Sequence, residues 1–158
     1  MRRGSAKQTR NVRRIEDDDY RQLAEFRHAM RIFLEFSERA ARAAGITPQQ
    51  HQALLAIKGL ALTGEAGVGA LAERLRIRHH SAVELVNRLC DAKLVDRESD
   101  PRDRRRVSVA LTAKAGRILE GLSATHLEEL QRLRPALQSI LALMDTEPAQ
   151  TTKSNKHR

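Results

Sequence analysis

Leu94-Val95-Asp96-Arg97-Glu98-Ser99-Asp100-Pro101-Arg102-Asp103-Arg104-Arg105-Arg106-Val107-Ser108-Val109-Ala110-Leu111-Thr112 is the stretch whose reading decides the fold. Val107, Val109 and Leu111 alternate with Arg106, Ser108 and Ala110, the two-residue period of a strand with one buried face. Leu94, Val95 and Arg97 are compatible with its partner strand. Ser99, Asp100 and Pro101 favour a turn, because short side-chain oxygens bond nearby N–H groups and proline presets φ. The pattern predicts a β-hairpin whose tip carries Arg102, Arg104, Arg105 and Arg106.

The hairpin is preceded by helices. Val83, Val86, Leu89 and Cys90 recur at helical spacing and predict a helix over about 80–92. A polar break, Ile77-Arg78-His79-His80-Ser81, separates it from a short helix at about 68–75. Short helix, tight polar turn and longer helix make a helix-turn-helix, and a basic hairpin behind one is a wing. Further upstream, Thr47-Pro48-Gln49-Gln50 is a helix start: Thr47 as cap, Pro48 in the first turn, Gln50 completing a capping box. That helix is predicted to run to about Leu60, with Leu54, Leu55 and Ile57 inward.

Two longer helices flank this unit. Leu23, Phe26, Met30, Phe33, Leu34, Ser37, Ala41 and Ala44 give one broad apolar face over about 18–44, opened by Asp17, Asp18 and Asp19 and closed by Gly45. After the hairpin, Thr112 caps a helix over about 113–132 whose apolar series includes Leu119, Leu122, His126 and Leu130. Pro135 removes a backbone donor, so a separate helix is expected at about 135–145. Residues 1–15 hold six cations and no acid. The expected organisation is a disordered basic arm over 1–17, a folded domain over 18–145 and a flexible tail over 146–158. The fold class is mainly α with a small β-hairpin (α+β).

The charge balance names a partner class. Twenty-nine Lys and Arg against twenty Asp and Glu give a formal charge of +9 over 158 residues, which favours a polyanion. Aromatics make up 3% and Trp is missing, so base-stacking platforms for single strands are poorly supplied. Helices and arginines reading duplex DNA fit better. Cys90 is the single cysteine, so neither an internal disulfide nor a cysteine-built zinc site is possible. It falls on the apolar side of its helix, where a thiol packs as a small hydrophobe rather than a redox switch. No apolar run reaches the ~20 residues of a membrane span, and the expected location is cytoplasmic. His79, His80 and Cys90 match no metal-ligand spacing and no Gly-rich phosphate loop follows a strand, so neither an enzyme, a metal nor a cofactor is expected.

Four stretches in order carry a resemblance: Ile46 to Leu55, Leu71-Ala72-Glu73-Arg74-Leu75, Ser81 to Leu89, and Asp100 to Val107 running into Leu111-Thr112. Together they resemble the MarR family of winged-helix transcriptional regulators over about residues 20–145. The resemblance implies a homodimer, with dimerisation helices at about 18–44 and 113–145 and a DNA-binding part at about 47–112. It implies a repressor that many relatives release from DNA when a small aromatic or anionic molecule binds between the two parts.

On this reading two recognition helices enter successive major grooves of pseudo-palindromic duplex DNA. Arg78, His79, His80, Ser81 and Glu84 face base edges, with Arg88 nearer phosphates. By resemblance, Asp103 and Arg105 brace the wing through a salt bridge and Arg104 enters the minor groove, with Arg102 as the alternative tip residue. His28, Arg31 and His51 are the candidates for holding an effector's carboxylate. A nonspecific architectural DNA protein is the alternative that the charge alone allows.

Overall fold

The computed structural model describes residues 15–99 and 107–145. The basic arm up to residue 14, the wing tip at 100–106 and the tail from 146 lie outside the described residues, and with them the expectations for Arg102, Asp103, Arg104, Arg105 and Arg106. The described elements are α1 (Asp17–Ala43), α2 (Pro48–Leu62), α3 (Val68–Leu75), α4 (His79–Asp91), β1 (Val95–Ser99), β2 (Val107–Leu111), α5 (Ala113–Arg132) and α6 (Arg134–Asp145). Among the described residues, 32–131 form one compact unit, and 15–31 with 132–145 form another.

In the first unit the core is made by Leu54 and Ile57 of α2, Leu71 of α3, Leu85, Val86 and Leu89 of α4, Val95 and Val109 of the hairpin, and Leu119 and Leu122 of α5. Ala41 near the end of α1 joins it. The strands pair antiparallel from Val95 opposite Leu111 to Ser99 opposite Val107. The strand forms, but its expected buried face is realised only in part: Val109 is buried and Leu111 half-buried, while Val107, two residues before Val109 on the same face, is 43% exposed at the end of the strand. Strand β2 uses its other edge as well. The Val109 N–H donates to the Ala66 carbonyl at 2.7 Å, and Gly67 bridges Ser108, so the loop before α3 adds a short third rung to the sheet. Thr112 joins sheet to helix. Its N–H and hydroxyl donate to the Leu94 and Lys93 carbonyls, and its Oγ1 accepts from the Ala115 N–H as the cap of α5.

Helix starts follow the sequence. Thr47 Oγ1 accepts from the Gln50 N–H at 3.1 Å and Gln50 Oε1 accepts from the Thr47 N–H at 2.8 Å, completing the capping box. At α1, Asp19 Oδ2 accepts from the Glu16 N–H at 2.9 Å, the same device in half form. Helix ends are more uniform than expected. After each of the first four helices, one N–H bonds three residues back and the next bonds five back: Gly45 and Ile46, Gly64 and Glu65, Arg76 and Ile77, Lys93 and Leu94. The first residue of each pair is left-handed, with φ +78°, +75°, +57° and +56°.

One core expectation is corrected. Leu55 is not inward: it is 52% exposed, while Leu54 and Ile57 are buried. The run Ala53-Leu54-Leu55-Ala56-Ile57 holds no polar residue to orient it from within, but Gln52 and Lys58, three residues either side of Leu55, mark its face as the outer one. Cys90 is partly buried against the core, as expected of a packing thiol. The second unit is different in kind. Helix α6 starts at Arg134, with Pro135 in its first turn as the sequence requires, and none of its residues is buried.

Candidate nucleic-acid interface

Helix α3 ends at Leu75, and left-handed Arg76 turns the chain so that Ile77 packs back against the core. Extended Arg78 then precedes α4 without a side-chain cap bond, leaving the first-turn N–H groups of α4 to other acceptors. Ala82, Leu85, Val86 and Leu89 are buried. This fixes the rotation of α4 about its axis, and Arg78, His79, His80, Glu84, Asn87 and Arg88 are exposed, with Ser81 half-buried. All six residues expected on this helix and its cap thus fall at its entrance or on its outer face. A groove of about 470 Å³ lies beside the entrance, lined by Gly69, Ala72, Glu73, Arg76, Ile77 and His79.

The sequence reading missed one contact. The Arg97 guanidinium on β1 donates from Nη2 to Asn87 Oδ1 on α4 at 2.6 Å. A signal existed. Arg97 shares strand parity with buried Val95 and stands opposite buried Val109, so it belongs to the inner face of the hairpin. Its side chain stays exposed, and that parity directs it toward α4, which packs against β1.

The candidate effector residues separate. His28 and Arg31 are exposed on α1 in one unit, whereas His51 is buried in the other. The His51 ring lies 4.8 Å from the His126 ring. His126 Nδ1 is 2.6 Å from the Leu122 carbonyl, which can only accept, so that nitrogen carries the hydrogen. Its Nε2 meets Ser37 Oγ at 2.8 Å, and Phe33 and Phe36 pack edge-on against the ring. Burial, and then the neighbouring His126, push the His51 imidazole below its ordinary pKa. A separate cavity of about 550 Å³ opens between α2, β2 and the start of α5. Leu55, Leu111 and Leu119 give it an apolar lining, and Lys58 and Glu120 charge it. None of His28, Arg31 and His51 lines it.

The profile of the MarR family matches residues 44–106, the span from the end of α1 to the hairpin tip. An uncharacterized HTH-type transcriptional regulator of Mycobacterium leprae is 33% identical over 114 residues, covering 65% of this chain and 80% of that protein. An HTH-type transcriptional regulator of Mycobacterium tuberculosis matches to the same extent. The chain belongs to the MarR family.

Solved MarR structures share its fold. A MarR family protein from Bacillus stearothermophilus superposes with a TM-score of 0.63 at 20% identity, covering 84% of this chain and 100% of that one. MepR, a transcription regulator of the Staphylococcus aureus multidrug efflux pump MepA, gives 0.62 at 21% identity, covering 79% and 95%. The MepR–DNA complex gives 0.55 at 17%, covering 82% and 96%. This MarR chain is thus a transcriptional regulator with a winged helix. No helix among its described residues is long and apolar enough to cross a membrane, and no group of three or more potential metal ligands occurs among them.

Proposed function

We propose that this MarR protein is a homodimeric, site-specific repressor that occludes duplex DNA and is released by a small amphipathic anion. The observation that carries the reading is the orientation of α4. Its buried side is locked by Leu85, Val86 and Leu89, and its free side collects Arg78, His79, His80, Glu84 and Arg88 beside a hairpin. Cations and hydrogen-bonding groups on one exposed helix face suit a major groove, and Glu84 can accept from a cytosine amino group. Arg102, Asp103, Arg104 and Arg105 lie outside the described residues, and their part in the reading is what the family resemblance implies: Arg104, or else Arg102, for the minor groove and an Asp103–Arg105 pair as its brace. MepR has been seen on an oligodeoxyribonucleotide, which supports the same use of the fold here.

Dimerisation is supported by apolar side chains left in the open on α1 and α6, among them Tyr20, Leu23, Leu141 and Met144. Release is supported by the cavity beside Lys58, where an apolar body could sit against Leu55, Leu111 and Leu119 with its carboxylate on the ammonium. We favour this seat over exposed His28 and Arg31 or buried His51. The test is a footprint on the DNA flanking the protein's own coding region, repeated with a panel of aromatic acids. The expected result is a protected pseudo-palindrome with half-sites about one helical turn apart, lost when one acid is added. Equal affinity for random duplex at fixed salt would overturn site specificity and leave an architectural DNA protein.

A further inference from the structure

The Asn87–Arg97 contact has a chemical consequence at the DNA surface, provided that α4 is the helix that reads DNA as proposed above. A guanidinium has donors and no acceptor, so the Asn87 atom 2.6 Å from Arg97 Nη2 is the carbonyl oxygen, and the amide orientation is fixed without ambiguity. Asn87 is exposed and lies one turn beyond Glu84 and two beyond His80, on the outer face of α4. Its oxygen is turned toward β1, and its NH₂ group donates to no acceptor among the described residues.

We propose that Asn87 reads a base and that Arg97 sets what it reads: with the oxygen held by the guanidinium, α4 presents only N–H donors at this position and selects guanine or thymine over adenine or cytosine. An unconstrained asparagine prefers adenine, accepting from N6 while donating to N7. Here the accepting oxygen is occupied, and a second donor would have to enter beside a positive charge. The major-groove edges of guanine and thymine offer the O6 and O4 acceptors, which an N–H and a guanidinium both favour. Cytosine offers only an amino donor, and adenine sets its N6 amino donor beside its N7 acceptor, so at both bases a donor meets donors. Arg97 is in this sense a positioning residue, and it also ties the first wing strand to the recognition helix.

The experiment is selection by the full-length protein, at fixed salt, from duplexes whose half-site is randomised. The wild-type protein is expected to prefer guanine or thymine at one position of each half-site by about tenfold. Asn87→Ala flattens that position alone. Arg97→Ala frees the oxygen and moves the preference toward adenine. Asn87→Asp keeps the bond to Arg97 but replaces donors with an acceptor, and moves the preference toward cytosine. Both side chains are exposed, so each variant keeps the wild-type circular dichroism. If Arg97→Ala weakens all sequences equally and leaves the preference in place, Arg97 is only a phosphate contact and the proposal is wrong. It is equally wrong if Asn87→Ala leaves every position unchanged. A wild-type protein that prefers no sequence overturns the reading of α4 itself, and this inference with it.

Discussion

Helices α4 and α6 are nearly the same length, 13 and 12 residues, and each carries an apolar stripe. Their fates differ. Helix α4 buries Ala82, Leu85, Val86 and Leu89 against the α3, β1 and core side chains of the same chain. Helix α6 buries nothing: Leu137, Leu141 and Met144 are 37%, 57% and 75% exposed. A stripe at helical spacing specifies that a helix has a covered side, and is silent on what covers it. In this MarR protein one chain is enough to cover the apolar side of α4. The apolar side of α6 is left for another surface, which we assign to a second copy.

The contrast predicts opposite responses to substitution. The largest effect is expected at α6. Leu137→Glu combined with Leu141→Glu places two carboxylates per copy in the assigned interface, where each buried and unpaired charge costs several kcal/mol. The double variant should sediment as a folded monomer at micromolar concentration and lose its affinity for a two-site duplex. Unchanged sedimentation as a dimer would remove α6 from the interface. At α4 the response should be loss of fold. Leu89→Ala empties a fully buried position in the middle of the core. It should cost about 2–5 kcal/mol in urea titration. A cost below about 1 kcal/mol would mean that α4 is not clamped as described.

Within the core unit, the histidine pair gives a smaller, pH-dependent effect. His51 has its pKa lowered by burial and by His126, so the folded protein binds fewer protons than the unfolded chain just below the ordinary imidazole pKa. Its contribution to stability is therefore complete above about pH 6.5 and is lost as the pH falls toward the depressed folded value. One such proton changes stability by at most about 1.4 kcal/mol per pH unit. Wild-type melting should thus drop between pH 7.5 and pH 5.5 by more than that of His51→Gln, with buffer and salt held constant. Equal drops would show that other groups carry the acid sensitivity. The surfaces of α1 and α6 offer no comparable buried imidazole among the described residues.

Most of this fold was readable because its signals are local. The Thr47–Gln50 box, the Pro135 break and the strand alternation at Val107, Val109 and Leu111 each act over a few residues, and every helix boundary falls within about two residues of its expectation. The outer face of α4 was readable for the same reason. What was hidden depends on chain segments distant in sequence. The approach of His126 to His51 and Ser37 joins three helices, and a histidine at an apolar position reads as one more core residue. The Asn87–Arg97 bond needed the parity of β1 to be combined with the rotation of α4. Leu55 shares its helix face with Gln52 and Lys58 at three-residue spacing, a signal that the apolar run 53–57 masks.

Helix ends divide along the same line, and they supply the smallest prediction. Gly45 and Gly64 announce left-handed endings, since glycine meets no Cβ penalty there. Arg76 and Lys93 adopt the same conformation with the same pair of hydrogen bonds and announce nothing. Position 93 is held by its surroundings: Leu94 is buried, its N–H reaches the Leu89 carbonyl, and the Thr112 hydroxyl donates to the Lys93 carbonyl. Packing on both sides forces a conformation that a lysine disfavours by about 1–2 kcal/mol. Lys93→Gly removes that strain and gives back part of it as extra freedom in the unfolded chain. The net expectation is a gain of about 0.5–1 kcal/mol, or a few degrees in Tm. Gly64→Ala is the mirror test: nothing lies within 4 Å of the added Cβ, so its φ of +75° alone decides, and a loss of similar size is expected. If Lys93→Gly destabilises, the lysine side chain must be doing something for this turn that outweighs the strain, and the two kinds of helix ending are not equivalent after all.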